Sequence, residues 1–185
     1  ALRNARFEMD TVLFRTAMSP GIREQHDEFP LIANLDGKMV VGQFGSFIWG
    51  FMQGYDGTVE EGDVFLTNDP YSVNGAISHQ NDWLMLMPVF KDGRVIAWSA
   101  MFGHMTDVGG KVPGSLPTDA RTVYEEGVCI PAIKIVKAGQ LQEDLGRRRV
   151  VDRQVEARVG RGRRRGRAGR CRGQPLRRGR WGGLR

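Results

Sequence analysis

No run of about eighteen apolar residues occurs in this chain, so a transmembrane helix of ordinary length is excluded. The opening residues, ALRNARFEMD, hold no unbroken apolar stretch of the kind a secretory signal needs. Cysteine is scarce. Cys129 and Cys171 are the two in 185 residues and lie in segments of unlike composition, so neither a disulfide framework nor a four-cysteine zinc site is available. A reducing cytoplasm is therefore the expected setting, with no membrane association. An initiator methionine is also missing, and Ala1 falls inside an amphipathic pattern, so the chain reads as a piece whose start lies upstream. No G-x-S-x-G elbow is present, which leaves a Ser/His/Asp hydrolase unsupported. The stretch GHMTDVGGK at 103–111 has the wrong glycine spacing for a phosphate loop, and Val112 stands where Ser or Thr would hold magnesium. ATP binding by this chain itself is not expected.

The net charge of +6 averages two unlike parts. Residues 1–145 carry 11 Lys or Arg against 19 Asp or Glu, a net of −8, whereas residues 146–185 carry 16 Arg and 2 acids, a net of +14. The first part reads as one domain. The second is mostly Arg and Gly, with too few apolar residues to offset the entropy of ordering, and is expected to be disordered. Two readings fit it. An arginine-glycine segment neutralises phosphates on nucleic acid, with Trp181 stacking on a base; alternatively, Arg, Gly, Ala and Pro are what GC-rich coding sequence yields out of frame. The lack of Lys and of interleaved Phe or Tyr favours a frameshifted end, and nucleic acid is not the expected partner.

Within the first part, Leu2, Ala5, Met9, Val12, Leu13 and Thr16 recur at helical spacing, which predicts one amphipathic helix over 2–17 with that face in the core. Ser19-Pro20-Gly21 breaks it. Segments 31–35 and 39–44 flank Asp36-Gly37, a hairpin signature. Segment 47–52 reads equally well as a short buried helix or a strand. Residues 63–67 form a strand stopped at Asn68-Asp69-Pro70. Two apolar runs, 83–90 and 94–102, surround Lys91-Asp92-Gly93 as a second hairpin. A turn of helix is expected within 118–127 and a final strand over 130–136. Hairpins behind a leading helix give an α+β fold with a mixed, mainly antiparallel sheet.

Two of the three histidines flank the second hairpin, each as His-x-x-Asp: His79 to Asp82 before its first strand, and His104 to Asp107 after its second. Counting outward from the turn places Asp82 opposite Phe102 or Gly103, so both motifs meet at the open mouth. Opposed residues on paired strands lie about 5 Å apart. Neutral imidazole and carboxylate suit a borderline divalent ion such as Zn, Mn or Fe. His79, Asp82 and His104 are the expected ligands. Asp107 is a fourth ligand or an acceptor for the other ring N–H of His104. Asp69 either adds a carboxylate to the same cleft or caps its turn. His26, among Gln25, Asp27 and Glu28, is expected to be solvated, as are Glu125 and Glu126, and Cys129 reads as a buried thiol.

The run GDVFLTNDPY, His79-x-x-Asp82, the hairpin MPVFKDGRVIAW and GHMTDVGG together resemble the hydantoinase B/oxoprolinase family. The likeness reaches back to EMDTVLFRTAMSPGIRE and forward to EEGVCIPAIKI, covering about residues 2–145 and none of the tail. That family takes in B subunits of ATP-dependent N-methylhydantoinases, the corresponding half of 5-oxoprolinase, and the large subunit of acetone and acetophenone carboxylases. The resemblance implies a hetero-oligomer in which a hydantoinase A-type partner binds ATP and phosphorylates the substrate, while this subunit completes the reaction. Hydrolysis of a cyclic amide, hydantoin or 5-oxoproline, is implied, with carboxylation of a ketone as the alternative. In the carboxylase relatives a His-x-x-Asp pair and a later His hold the metal, and those positions match His79, Asp82 and His104. Asp107 or Asp69 would orient ligands or move protons. Family members are several times longer, so this chain alone is expected to be inactive.

Overall fold

The computed structural model describes residues 1–42, 47–114 and 117–142. The arginine-rich tail lies outside the described residues, as do Gln43 and Phe44 at the end of the first expected hairpin. The elements are α1 (Leu2–Thr16), α2 (Pro20–Gln25), β1 (Glu28–Ala33), β2 (Met39–Val41), α3 (Phe47–Gly54), β3 (Val64–Thr67), β4 (Asp82–Lys91), β5 (Arg94–His104), α4 (Val123–Glu126), β6 (Ile133–Lys137) and β7 (Gln140–Leu141). The strands form one sheet in the order β2-β1-β5-β4-β3-β6-β7. Every pairing in it is antiparallel. The fold is α+β, as the hairpin pattern predicts.

Both hairpins form. In the first, the Asn34 side chain accepts from the amides of Asp36 and Lys38 and so closes the turn. In the second, Asp92 and Gly93 take φ of 51° and 73°. That two-residue geometry matches the twist of the flanking strands. Segment 47–54 resolves as a helix. Its Ile48 and Phe51, with Val73 and Ile77 from the loop after β3, cover one sheet face built from Leu31, Ala33, Phe65, Leu84, Leu86, Trp98, Ala100 and Phe102. The helix lies tight on that loop, because a Cβ at Gly50 would stand 2.2 Å from the Val73 carbonyl oxygen.

Three expectations need correction. A helix, α2, follows directly on Ser19, where only a breaker was expected, because proline at a first helical position gives up an amide that has no partner there anyway. The last strand begins at Ile133 instead of 130, and β7 adds a small hairpin after it. The expected core face of α1 is not core: none of its residues is buried. Ala5, Met9 and Leu13 are half-buried, while Leu2, Val12 and Thr16 are exposed. The physical reason is that α1 packs on β1, β2 and α2 at one border of the sheet, so much of its circumference faces solvent.

Candidate metal centre

The hairpin of β4 and β5 brings the two histidine motifs together more directly than the sequence count allows. The turn takes two residues, pairing Lys91 with Arg94, and a bulge between Val89 and Phe90 adds one residue to β5. Those two steps move the partner of Asp82 from Phe102 or Gly103 to His104 itself. Just before β4, the Asp82 amide donates to the His79 carbonyl in a tight turn that folds the His79 ring back toward the carboxylate. His79 Nδ1 then lies 3.1 Å from Asp82 Oδ2, and His104 Nδ1 lies 3.1 Å from Asp82 Oδ1. The ring centroids are 5.3 Å apart. One donor atom from each residue falls within 4.8 Å of the other two, the single such cluster among the described residues. All three side chains are largely shielded, with exposures of 17% for His79 and 14% for Asp82 and His104.

Buried polar side chains fix this mouth. Asn81 donates to the Met105 carbonyl, and the Met105 amide returns a bond to the Asn81 carbonyl, extending the ladder past both strand ends. Asn68 donates to the carbonyls of Gln80 and Val128 and accepts from the Ile130 amide, tying three segments beneath the His79 turn. Asn68 has both its donors and its acceptor used, which is what makes its burial tolerable.

The donor set fits a divalent cation. His104 Nε2 sits 2.9 Å from the Gly114 carbonyl oxygen. A carbonyl cannot donate, so the ring proton must be on Nε2, and in the neutral ring Nδ1 turns a lone pair toward the Asp82 carboxylate. His79 Nδ1 is buried and faces the other oxygen of the same carboxylate at 3.1 Å. Lone pairs facing one carboxylate repel unless a proton or a cation lies among them. Ligand atoms about 2.0–2.2 Å from an ion are separated by roughly 3.0–3.5 Å at ordinary coordination angles, in line with the spacing to Asp82. Without a cation, the neighbouring Asp82 carboxylate holds the His79 imidazole above its usual range, against the opposing effect of burial.

Asp27 joins the site unannounced by the sequence. Its carboxylate is 3.8 Å from His104 Nδ1 and is 42% exposed. Sequence spacing gives no hint of this, because it follows from β1 pairing along β5, with Glu28 opposite Gly103. The other candidate carboxylates occupy turns. Asp107 is exposed and accepts from the Gly109 amide, and Asp69 accepts from the Tyr71 amide. Glu125 accepts from the Arg121 amide and pairs with Lys111 at 3.5 Å. His26 is exposed and stacks on Phe14 with centroids 4.4 Å apart. Cys129 is half-buried.

Comparison with known proteins places this geometry in a family context. The sequence model of the hydantoinase B/oxoprolinase family matches residues 1–167. The chain is 36% identical over 154 residues to caprolactamase subunit beta from Pseudomonas jessenii, covering 78% of this chain and 26% of the relative. It is 32% identical over 146 residues to 5-oxoprolinase 1 from Arabidopsis thaliana, covering 74% and 11%. The crystal structure of the ATP-dependent caprolactamase from Pseudomonas jessenii superposes with a TM-score of 0.64 at 28% identity, covering 86% of this chain and 30% of that one. The chain thus spans about a quarter of the caprolactamase subunit and a smaller part of the oxoprolinase.

Proposed function

We propose, from the premise that this chain belongs to the hydantoinase B/oxoprolinase family, that it carries the divalent-metal centre of an enzyme for ATP-dependent opening of a cyclic amide. The observation that carries the reading is the convergence of His79, Asp82 and His104 at the hairpin mouth. Resemblance to a caprolactamase subunit and to a 5-oxoprolinase supports a lactam, hydantoin or 5-oxoproline as substrate. A hydantoinase A-type subunit would supply the ATP site, in a cytoplasmic complex.

In this reading His79, Asp82 and His104 hold a Zn, Mn or Fe ion. When bound, such an ion polarises a carbonyl or lowers the pKa of water. The chain's own residues do the rest. Gly114 fixes the proton on His104 Nε2, so Nδ1 is presented as a ligand. Asp27, beside His104 and partly open to solvent, stands where a water or substrate N–H can reach it. Asp107 and Asp69, which accept from the Gly109 and Tyr71 amides in their turns, stand outside the three-residue cluster and are given no role in it.

Two measurements test this. Elemental analysis of the purified protein should find one tightly held divalent ion, lost in His104→Ala. Assays with the A-type subunit should show ATP hydrolysis stimulated by hydantoin, 5-oxoproline or caprolactam. Retention of the ion in the variant overturns the ligand set, and bicarbonate consumption with a ketone in place of amide hydrolysis overturns the reaction.

A further inference from the structure

Ser19 occupies the position that starts α2, where a serine hydroxyl ordinarily accepts from an amide of its own first turn. Here it makes no such bond. Its hydroxyl instead donates to the backbone carbonyl of His104, 85 residues away, at 2.8 Å. That hydroxyl has one proton, so the Thr106 hydroxyl, 3.2 Å from it, must be the donor in their mutual contact. A short relay results, running from Thr106 through Ser19 to the His104 carbonyl.

The same segment grips His104 from its other side. The His104 amide donates to the Asp27 carbonyl at 3.0 Å, just beyond α2. Between these two bonds, Ile22 presses on the preceding residue so closely that a Cβ at Gly103 would stand 2.6 Å from its Cδ1. His104 is the last residue of β5, the point at which a strand would otherwise fray. Both backbone groups of this one residue are held by the α2 segment.

We infer that Ser19 is a positioning residue for the metal centre, acting through the His104 backbone to hold the imidazole at its distance from Asp82. The inference rests on the metal reading above and adds to it the element that supplies rigidity. Residues that orient a ligand without touching the ion typically matter about 10–100-fold in metal affinity. A backbone-mediated contact belongs at the lower end.

The test uses the full 185-residue chain with Co²⁺ as the probe, read by titration and by the visible d–d absorption. The melting temperature of the cation-free protein is recorded alongside. Ser19→Ala should weaken Co²⁺ binding about tenfold and change the d–d bands, with the cation-free melting temperature little altered. Ser19→Thr, which keeps the hydroxyl, should restore both readouts, and Thr106→Val should give a smaller loss. Wild-type affinity and spectrum in Ser19→Ala would overturn the role, as would a loss that follows a fallen melting temperature and is not restored by threonine. If the wild-type chain itself takes up no Co²⁺, the metal reading fails and the role of Ser19 falls with it, an outcome separable from the other two.

Discussion

Burial makes Glu28 an acid under strain beside the histidine cluster. Its side chain is 1% exposed, His26 Nδ1 approaches only to 3.6 Å, and Oε2 has no hydrogen-bond partner. Desolvation raises its pKa above the usual carboxylate range, and the nearby His26 opposes this only in part. The folded state therefore binds this proton more tightly than the unfolded state does. Stability from this group is complete below the unfolded value and is lost as pH rises through the raised folded value. Glu28→Gln should accordingly melt like the wild type below about pH 4, and at a higher temperature near neutrality. Thermal melts at the two pH values measure this, and parallel curves would show that the carboxyl is better solvated than its burial indicates. At this scale the sequence was readable where the pattern was local: two His-x-x-Asp motifs announced His79, Asp82 and His104. Asp27, Ser19 and Gly114 were not readable, since each reaches His104 through strand pairing or a loop return that leaves no periodic mark.

Elements built from adjacent segments were legible for the same reason. Asp36-Gly37 and Asp92-Gly93 both make turns, and the apolar alternation of β4 and β5 was visible on either side. Their register was not, because a two-residue turn and one bulge together moved Asp82 onto His104, and bulges have no reliable sequence signature. The helix α1 was misread for the opposite reason: its apolar spacing is real, but periodicity shows only that a face wants covering, not what covers it. The joint between β3 and β6 depends on a contact no spacing suggests. Asp63, fully buried just before β3, meets Lys134 Nζ at 2.8 Å and accepts from the amides of Ala138 and Glu60. Burial alone would raise the Asp63 carboxyl, but these donors outweigh it and hold it below the ordinary range. Its contribution is thus present above the unfolded pKa and lost as pH falls through the lowered folded value. Lys134→Met leaves a buried carboxylate without its cation and should cost about 3–5 kcal/mol near neutrality. The cost should shrink in acid, where Asp63 takes up a proton. Urea melts at both pH values decide this; an equal cost at each would assign the effect to lost packing over Phe65, whose ring centroid is 5.8 Å from Nζ.

For the molecule as a whole, the proposed reading divides holding a cation from turning over a substrate according to where the residues lie. His79, Asp82, His104 and Asp27 all fall between residues 27 and 104, on one hairpin and the segment clamped to it. The relays that orient them, from Ser19, Asn81 and Gly114, fall within residues 19–114. Nothing in that set needs a second chain to take its position. ATP chemistry stands differently, because the sequence offers no phosphate loop and the chain spans 26% of the caprolactamase subunit it resembles. Cation binding and catalysis should therefore come apart in the isolated chain. Purified alone, it should take up one divalent ion, with proton release that grows as pH falls, since the Asp82 carboxylate holds the His79 imidazole above its usual range. On the proposed reading, it should show no caprolactam-dependent ATP hydrolysis without an A-type subunit. Titration calorimetry in buffers of different ionisation enthalpy would register the protons, and a phosphate-release assay the turnover. Uptake without proton release would mean that the rings are already neutral in the cation-free protein, and ATP hydrolysis by the chain alone would place a nucleotide site where the sequence offers none.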